Sequence, residues 1–103
     1  MRQLSRPQEK FLRKKSHAIK PIFQMGKAGL SEEFITQVDQ ALEKRELIKF
    51  NLLQNTSEDV KDAAQKIAES TDAAIVHIVG HTAILYRPSS TQKHQVISQE
   101  LPR

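Results

Sequence analysis

Gly26-Lys27-Ala28-Gly29 is the short stretch of this 103-residue chain in which residue type and spacing point most directly to chemistry. Glycine admits positive φ and lets another backbone come close. A helix starting just after such a loop offers unpaired N–H groups and the positive end of its dipole to an anion. Lys27 adds a mobile cation at the tip. A Walker A loop would need G-x-x-x-x-G-K-[ST], and a dinucleotide site G-x-G-x-x-G; the chain contains neither. A lone G-x-x-G is most often a tight turn, so its surroundings decide its weight.

Those surroundings are basic. Residues 1–30 hold eight Lys or Arg against Glu9 alone, a balance of +7, whereas residues 31–103 hold eight against eleven acids, a balance of −3. The formal net charge of +4 therefore comes entirely from the first third of the chain. Beside a polycationic segment the loop reads as a phosphate clamp, the arrangement by which KH modules hold single-stranded RNA.

The remaining candidates are less directed. His17, His77, His81 and His94 show no H-E-x-x-H or comparable ligand spacing, and there is no cysteine for a thiolate site. They read as a helix-face, a sheet-surface, a turn and a tail histidine, with His17 and His81 able to donate to phosphate. No nucleophile elbow or acid–base pair stands out. Asp39, Glu43 and Glu46 read as the solvated face of a helix. Phe11, Phe34 and Phe50 fit core stripes rather than a stacking platform. Tyr86 and Arg87 could reach a base or a phosphate, or Tyr86 could be a plain strand residue.

The elements that must position these groups follow from periodicity. Pro7 suits a first helical turn, so a helix should begin at Ser5–Arg6 and run to about Ile19, before Pro21. Phe11, Leu12, Ala18 and Ile19 form its apolar side; Arg6, Lys10, Arg13 and His17 recur on the opposite side with Lys14, and Lys15 must snorkel. Pro21–Met25 reads as a short strand. Ser31 caps a second helix with the buried stripe Phe34, Ile35, Val38, Ala41 and Leu42, and Leu30 can staple onto Ile35. Leu47–Leu53 alternates as a half-buried strand. Asn55-Thr56-Ser57 is turn and cap before a third helix bearing Val60, Ala63, Ala64 and Ile67. Ala74–Val79, apolar on both sides apart from His77, reads as a strand inside the sheet. Gly80-His81 joins it to Thr82–Arg87 as a hairpin, and Pro88 stops that strand.

Length, 38% hydrophobic and 27% charged residues fit one globular domain, and no apolar run or signal-peptide core suggests a membrane or an export route. The expectation is an α/β fold: one compact domain over residues 1–88 in the order α-β-α-β-α-β-β, with a four-stranded mixed sheet packed with helices. Residues 89–103 are expected to form a polar, loosely ordered tail, from which Val96, Ile97 and Leu101 could dock back.

Several ordered segments together resemble a known family: Leu12 to Lys14, Ser16 to Pro21, Gly26 to Ser31, Ala41 to Lys49, and Gly80 to Pro88. From about Ser5 to Pro88 the chain is similar to the CRM domain, in particular to bacterial single-domain YhbY-type proteins. The resemblance implies a fold similar to the C-terminal domain of translation initiation factor 3. It also implies RNA binding through the G-x-x-G loop and the neighbouring basic surface, and association with precursors of the large ribosomal subunit. His81 stands where the family often carries Lys or Arg, and Lys27 is not fixed in it.

The expected protein is a non-enzymatic, monomeric, cytoplasmic binder of ribosomal RNA with no cofactor, metal, membrane or small-molecule substrate. The expected contact set is Arg6, Lys10, Arg13, Lys14, His17, Lys20, Gly26, Lys27, Ala28, Gly29, His81 and Arg87. Two other classes stay open: a protein-interaction module whose basic helix meets an acidic partner, and a small phosphoryl or nucleotide enzyme with an anion hole at the glycine loop.

Overall fold

The computed structural model describes residues 1–26, 29–53 and 59–102. Lys27, Ala28 and the Asn55-Thr56-Ser57 turn lie outside the described residues. In chain order the elements are α1 (Arg6–Ser16), β1 (Phe23–Met25), α2 (Glu32–Arg45), β2 (Leu47–Leu52), α3 (Val60–Thr71), β3 (Ala74–Val79) and β4 (Thr82–Tyr86). A 3-10 turn (Gln92–His94) and a short α4 (Val96–Glu100) follow. The α/β order α-β-α-β-α-β-β is as expected.

Local chemistry accounts for the ends of α1. Ser5 and Gln8 form a reciprocal capping box, with Ser5 Oγ accepting the Gln8 N–H at 3.3 Å and Gln8 Oε1 accepting the Ser5 N–H at 3.0 Å. The helix ends at Ser16, three residues before the expected stop. The chain then tightens, with the N–H groups of Ala18 and Ile19 bonding to the carbonyls of Lys15 and Ser16, three residues back. That tightening leaves Ala18 exposed, while Leu12 is fully buried and Ile19 partly so.

The four strands lie in the order β1-β2-β4-β3, with β1 parallel to β2 and β4 antiparallel to both its neighbours. β3 is thus an edge strand and not, as its apolarity suggested, an interior one. Its two apolar faces are explained by helices instead: α3 packs on one and α1 on the other. The edge is partly protected. The Arg2 N–H bonds to the Ala73 carbonyl at 3.0 Å, and the register shifts between Ile75 and His77.

Two cores of unequal size sit on the two faces. On one, α2 and α3 bring Val38, Leu42, Ala63, Ala64 and Ile67 against Met25, Ile48, Phe50, Leu52 and Leu85. Phe34 meets Phe23 and Phe50 edge-on, at ring-centroid distances of 5.9 and 5.7 Å. Leu30 and Ile35 pack beside this cluster. On the other face Leu12 of α1 packs with Leu47, Val76, Ile84 and Tyr86, joined by Ile97 and Leu101 from the C-terminal segment.

The C-terminal segment is held, not loose. Glu46, fully buried at the C-cap of α2 with φ 66°, accepts the N–H groups of Ser89 at 2.6 Å, Ile97 at 3.0 Å and Ser98 at 2.9 Å. Glu43 accepts the Ser90 N–H at 3.0 Å. Ile97 and Leu101 dock as foreseen, whereas Val96 remains exposed.

Candidate nucleic-acid interface

The sheet has two ends, built from different connections. At one, β1 runs into Gly26, β2 ends at Leu52, and the β3–β4 hairpin turns at Gly80-His81. Backbone bonds tie these together: Leu53 N–H to the Met25 carbonyl at 3.0 Å and Leu52 N–H to the His81 carbonyl at 2.8 Å. The glycine loop and His81 therefore share one end, here termed the loop end.

Within the loop, the Gly29 N–H bonds to the Gly26 carbonyl at 3.0 Å, closing a turn. Gly29 has φ 73°, a region where a side chain is strained. Gly26 does not have positive φ, and among the described residues an added Cβ there would meet only Leu53 Cδ1 at 3.9 Å. Internal packing thus does not require glycine at position 26; the approach of an outside group could. Lys27 and Ala28 fall outside the described residues. Behind the loop, Ser31 Oγ accepts the Phe34 N–H at 3.1 Å, and Glu32 and Glu33 occupy the first turn of α2. The cap and the two carboxylates already satisfy this helix N-terminus, which weakens its pull on an anion.

Helix α1 crosses the second face with its C-terminal half toward the loop end, where Arg13, Ser16 and His17 line a groove with Val79 and Thr82. Its N-terminal half lies at the far end, near Tyr86 and Leu101. Arg6, Lys10, Arg13, Lys14, His17 and Lys20 are all exposed. None of these six forms an ion pair with a carboxylate among the described residues. Lys15 behaves differently: its Nζ pairs with Glu100 at 2.8 Å and lies 5.6 Å from the Phe11 ring centroid, so it runs along the apolar edge as expected.

Arg87 does not belong with this set. β4 runs away from the loop end, which carries Arg87 roughly 17 Å along the strand from Thr82. There its guanidinium is 13% exposed, donates to the Thr71 carbonyl at 2.8 Å and the Asp39 carbonyl at 3.0 Å, and pairs with the carboxylates of Asp39 and Glu43. An arginine so buried and so engaged has three of its five donors committed within the domain and two carboxylates already neutralising its charge. Tyr86 is 2% exposed in the smaller core, where burial first, and then the Glu46 carboxylate, push its phenol up to about 12. Asp39, Glu43 and Glu46 are not a plain solvated face: all three hold the segment after β4. For Glu43 the Ser90 N–H, then the Ser90 hydroxyl, set its pKa below the ordinary carboxylate range.

Two residues that the sequence did not single out as site residues enter the groove. Lys49 of β2 and His77 of β3 line it with Arg13, His17 and Thr82. The signal was present for Lys49, which sits on the polar side of an alternating strand. For His77 the bulge hid which face it would occupy. Among the described residues no three or more His, Asp or Glu gather as a metal-ligand set, and no helix is long and apolar enough to cross a membrane.

A single α/β domain with a glycine loop beside a helix of exposed basic residues defines a class, and comparison with known proteins gives its family. Residues 4–87 match the CRS1 / YhbY (CRM) domain, and the chain belongs to that family. It is 42% identical over 90 residues to Probable RNA-binding protein YqeI of Bacillus subtilis, covering 87% of this chain and 94% of that protein. A Haemophilus influenzae protein named RNA-binding protein is 34% identical over 96 residues, covering 93% and 97% of the two chains. The solution structure of SAV1595 from Staphylococcus aureus superposes with a TM-score of 0.76 at 41% identity, covering 97% of this chain and 100% of the other.

Proposed function

We propose that this protein binds RNA without catalysing a reaction on it, and that its target is ribosomal RNA in precursors of the large ribosomal subunit. The observation that carries the RNA reading is the outer face of α1 and the turn after it, where Arg6, Lys10, Arg13 and Lys14 on the helix and His17 and Lys20 beyond it are exposed with no carboxylate partner among the described residues. So many like charges on one surface repel one another, and a polyanion relieves that repulsion and releases its own counterions. The names of the relatives and the family match support the same reading. The ribosomal target is what the family resemblance implies. Contacts are assigned to Arg6, Lys10, Arg13, Lys14, His17, Lys20, the Gly26–Gly29 loop with Lys27 and Ala28, and His81. A cytoplasmic monomer, with residues 1–88 as the binding domain, completes the proposal.

Sedimentation of the tagged protein with ribosomal particles, with crosslinks mapped on the RNA, tests it. Comigration with large-subunit precursors and crosslinks to their RNA are expected. Failure to bind RNA of any kind, or binding only to a protein partner that RNA cannot displace, overturns it.

A further inference from the structure

We propose that the bare strip of sheet between the C-terminal half of α1 and the loop end is a second contact for the RNA strand, with Lys49 and His77 as contact residues beside Arg13 and His17. This inference rests on the RNA-binding reading above and extends it from the helix and loop onto the sheet.

The strip exists because α1 covers the sheet only in part. Phe23, Met25, Phe50 and Leu52 all face α2 and α3, so strand alternation turns Gln24, Lys49 and Asn51 to the opposite side. Thr82 and His77 continue that surface across β4 and β3. The result is an open groove of about 320 Å³ lined by Arg13, Ser16, His17, Pro21, Lys49, His77, Val79, Thr82 and Ile84. Among the described residues it contains two cations and two imidazoles and no carboxylate. Four strands side by side make the surface roughly 14 Å wide, and Gln24 and Asn51 border it on the glycine-loop side. A strand leaving the loop thus meets amides first and cations next.

Two details argue for an anion rather than a structural role. Arg13 Nη2 lies 3.5 Å from His77 Nε2, at the outer limit of a hydrogen bond, so the guanidinium and the imidazole stand side by side without a strong bond between them. A phosphate between them would accept from both. The groups lining the groove with His77 are Arg13 from α1, His17 just after it, Lys49 from β2, and Thr82 and Ile84 from β4, so among the described residues of the groove no carboxylate competes for it. Asn51 Oδ1 accepts from the Thr82 hydroxyl at 2.6 Å, which fixes the amide by its oxygen and leaves its nitrogen as the donor end. Val79, 57% exposed, offers an apolar edge at the rim of the groove.

The test uses the full chain and a fluorescein-labelled 20-nucleotide oligouridylate, read by anisotropy across a salt series. Lys49→Gln and His77→Gln should each weaken binding about fivefold. Lys49→Gln should also flatten the log–log salt slope by about 0.7, one phosphate contact. Val79→Glu replaces the exposed apolar edge with a negative charge beside the groove; it should weaken binding at least as much, with a melting temperature near wild type. If all three variants bind like wild type while Lys14→Gln is weakened, the sheet contact is wrong and the helix-based reading stands. If the wild type fails to bind RNA at all, both fall.

Discussion

Glu46 Oε2 accepts the backbone N–H of Ser89 at 2.6 Å across 43 residues of chain, joining the end of α2 to the start of the C-terminal segment. The other carboxylate oxygen takes the N–H groups of Ile97 and Ser98. One buried side chain thereby satisfies three backbone donors from both ends of that segment.

Replacing it should be costly. Glu46→Ala leaves those donors unpaired in a buried site, and a loss of about 3 kcal/mol or more is expected. Urea denaturation measures it. Amide exchange should show residues 89–101 losing protection first, and equal loss throughout the chain would contradict a local clamp.

The two loop glycines should separate fold from binding. Gly29→Val forces a β-branched residue into φ 73° and should strain the loop by roughly 2 kcal/mol while weakening RNA binding. Gly26→Ala meets only ordinary contact at 3.9 Å, so its melting temperature should stay near wild type. RNA affinity should nevertheless fall if the ligand backbone approaches there; unchanged affinity would show that no such approach occurs.

Salt reports how many phosphates are met. With about five contacts, log affinity for single-stranded RNA should fall against log salt with a slope near −3.5, about 0.7 per contact. Lys10→Gln and Lys14→Gln should each reduce that slope by about one contact, whereas Arg87→Gln should leave it unchanged and lower stability. A salt-independent affinity would remove the electrostatic mechanism.

Alkaline pH probes Tyr86. Its folded pKa of about 12 lies above the ordinary phenol value, so the native state holds the proton more tightly than the unfolded chain. Its contribution is fully present below about pH 10 and is lost as pH rises towards 12. The expected size is roughly 1–3 kcal/mol. Comparing wild type with Tyr86→Phe by denaturation at about pH 8 and about pH 11 isolates it; parallel losses would show that Tyr86 has no part.

Much of this was legible in sequence because it is local. Proline at the start of α1, serine caps and hydrophobic period fix elements through neighbours a few residues apart, and the exposed basic face of α1 follows from the same period. What sequence hid depends on distant partners. Glu46 looks like any helix-end acid until residues 89–98 fold back on it. Arg87 looks like a free cation until Asp39 and Thr71 close around it. The apolar run of β3 suggested an interior strand because periodicity records how many faces are covered, not whether strands or helices cover them. The neighbours of His77 were obscured by a one-residue shift in register.

The larger core lies on the α2–α3 face, while the basic helix and the half-covered strip lie on the other. A substitution at Lys49, His77, Thr82 or the outer positions of α1 therefore disturbs few of the contacts that make the domain fold. Such positions are free to drift: changes that retune which RNA is held need not pass through an unstable intermediate. The architecture gives this small domain room to evolve new ligands on an unchanging frame.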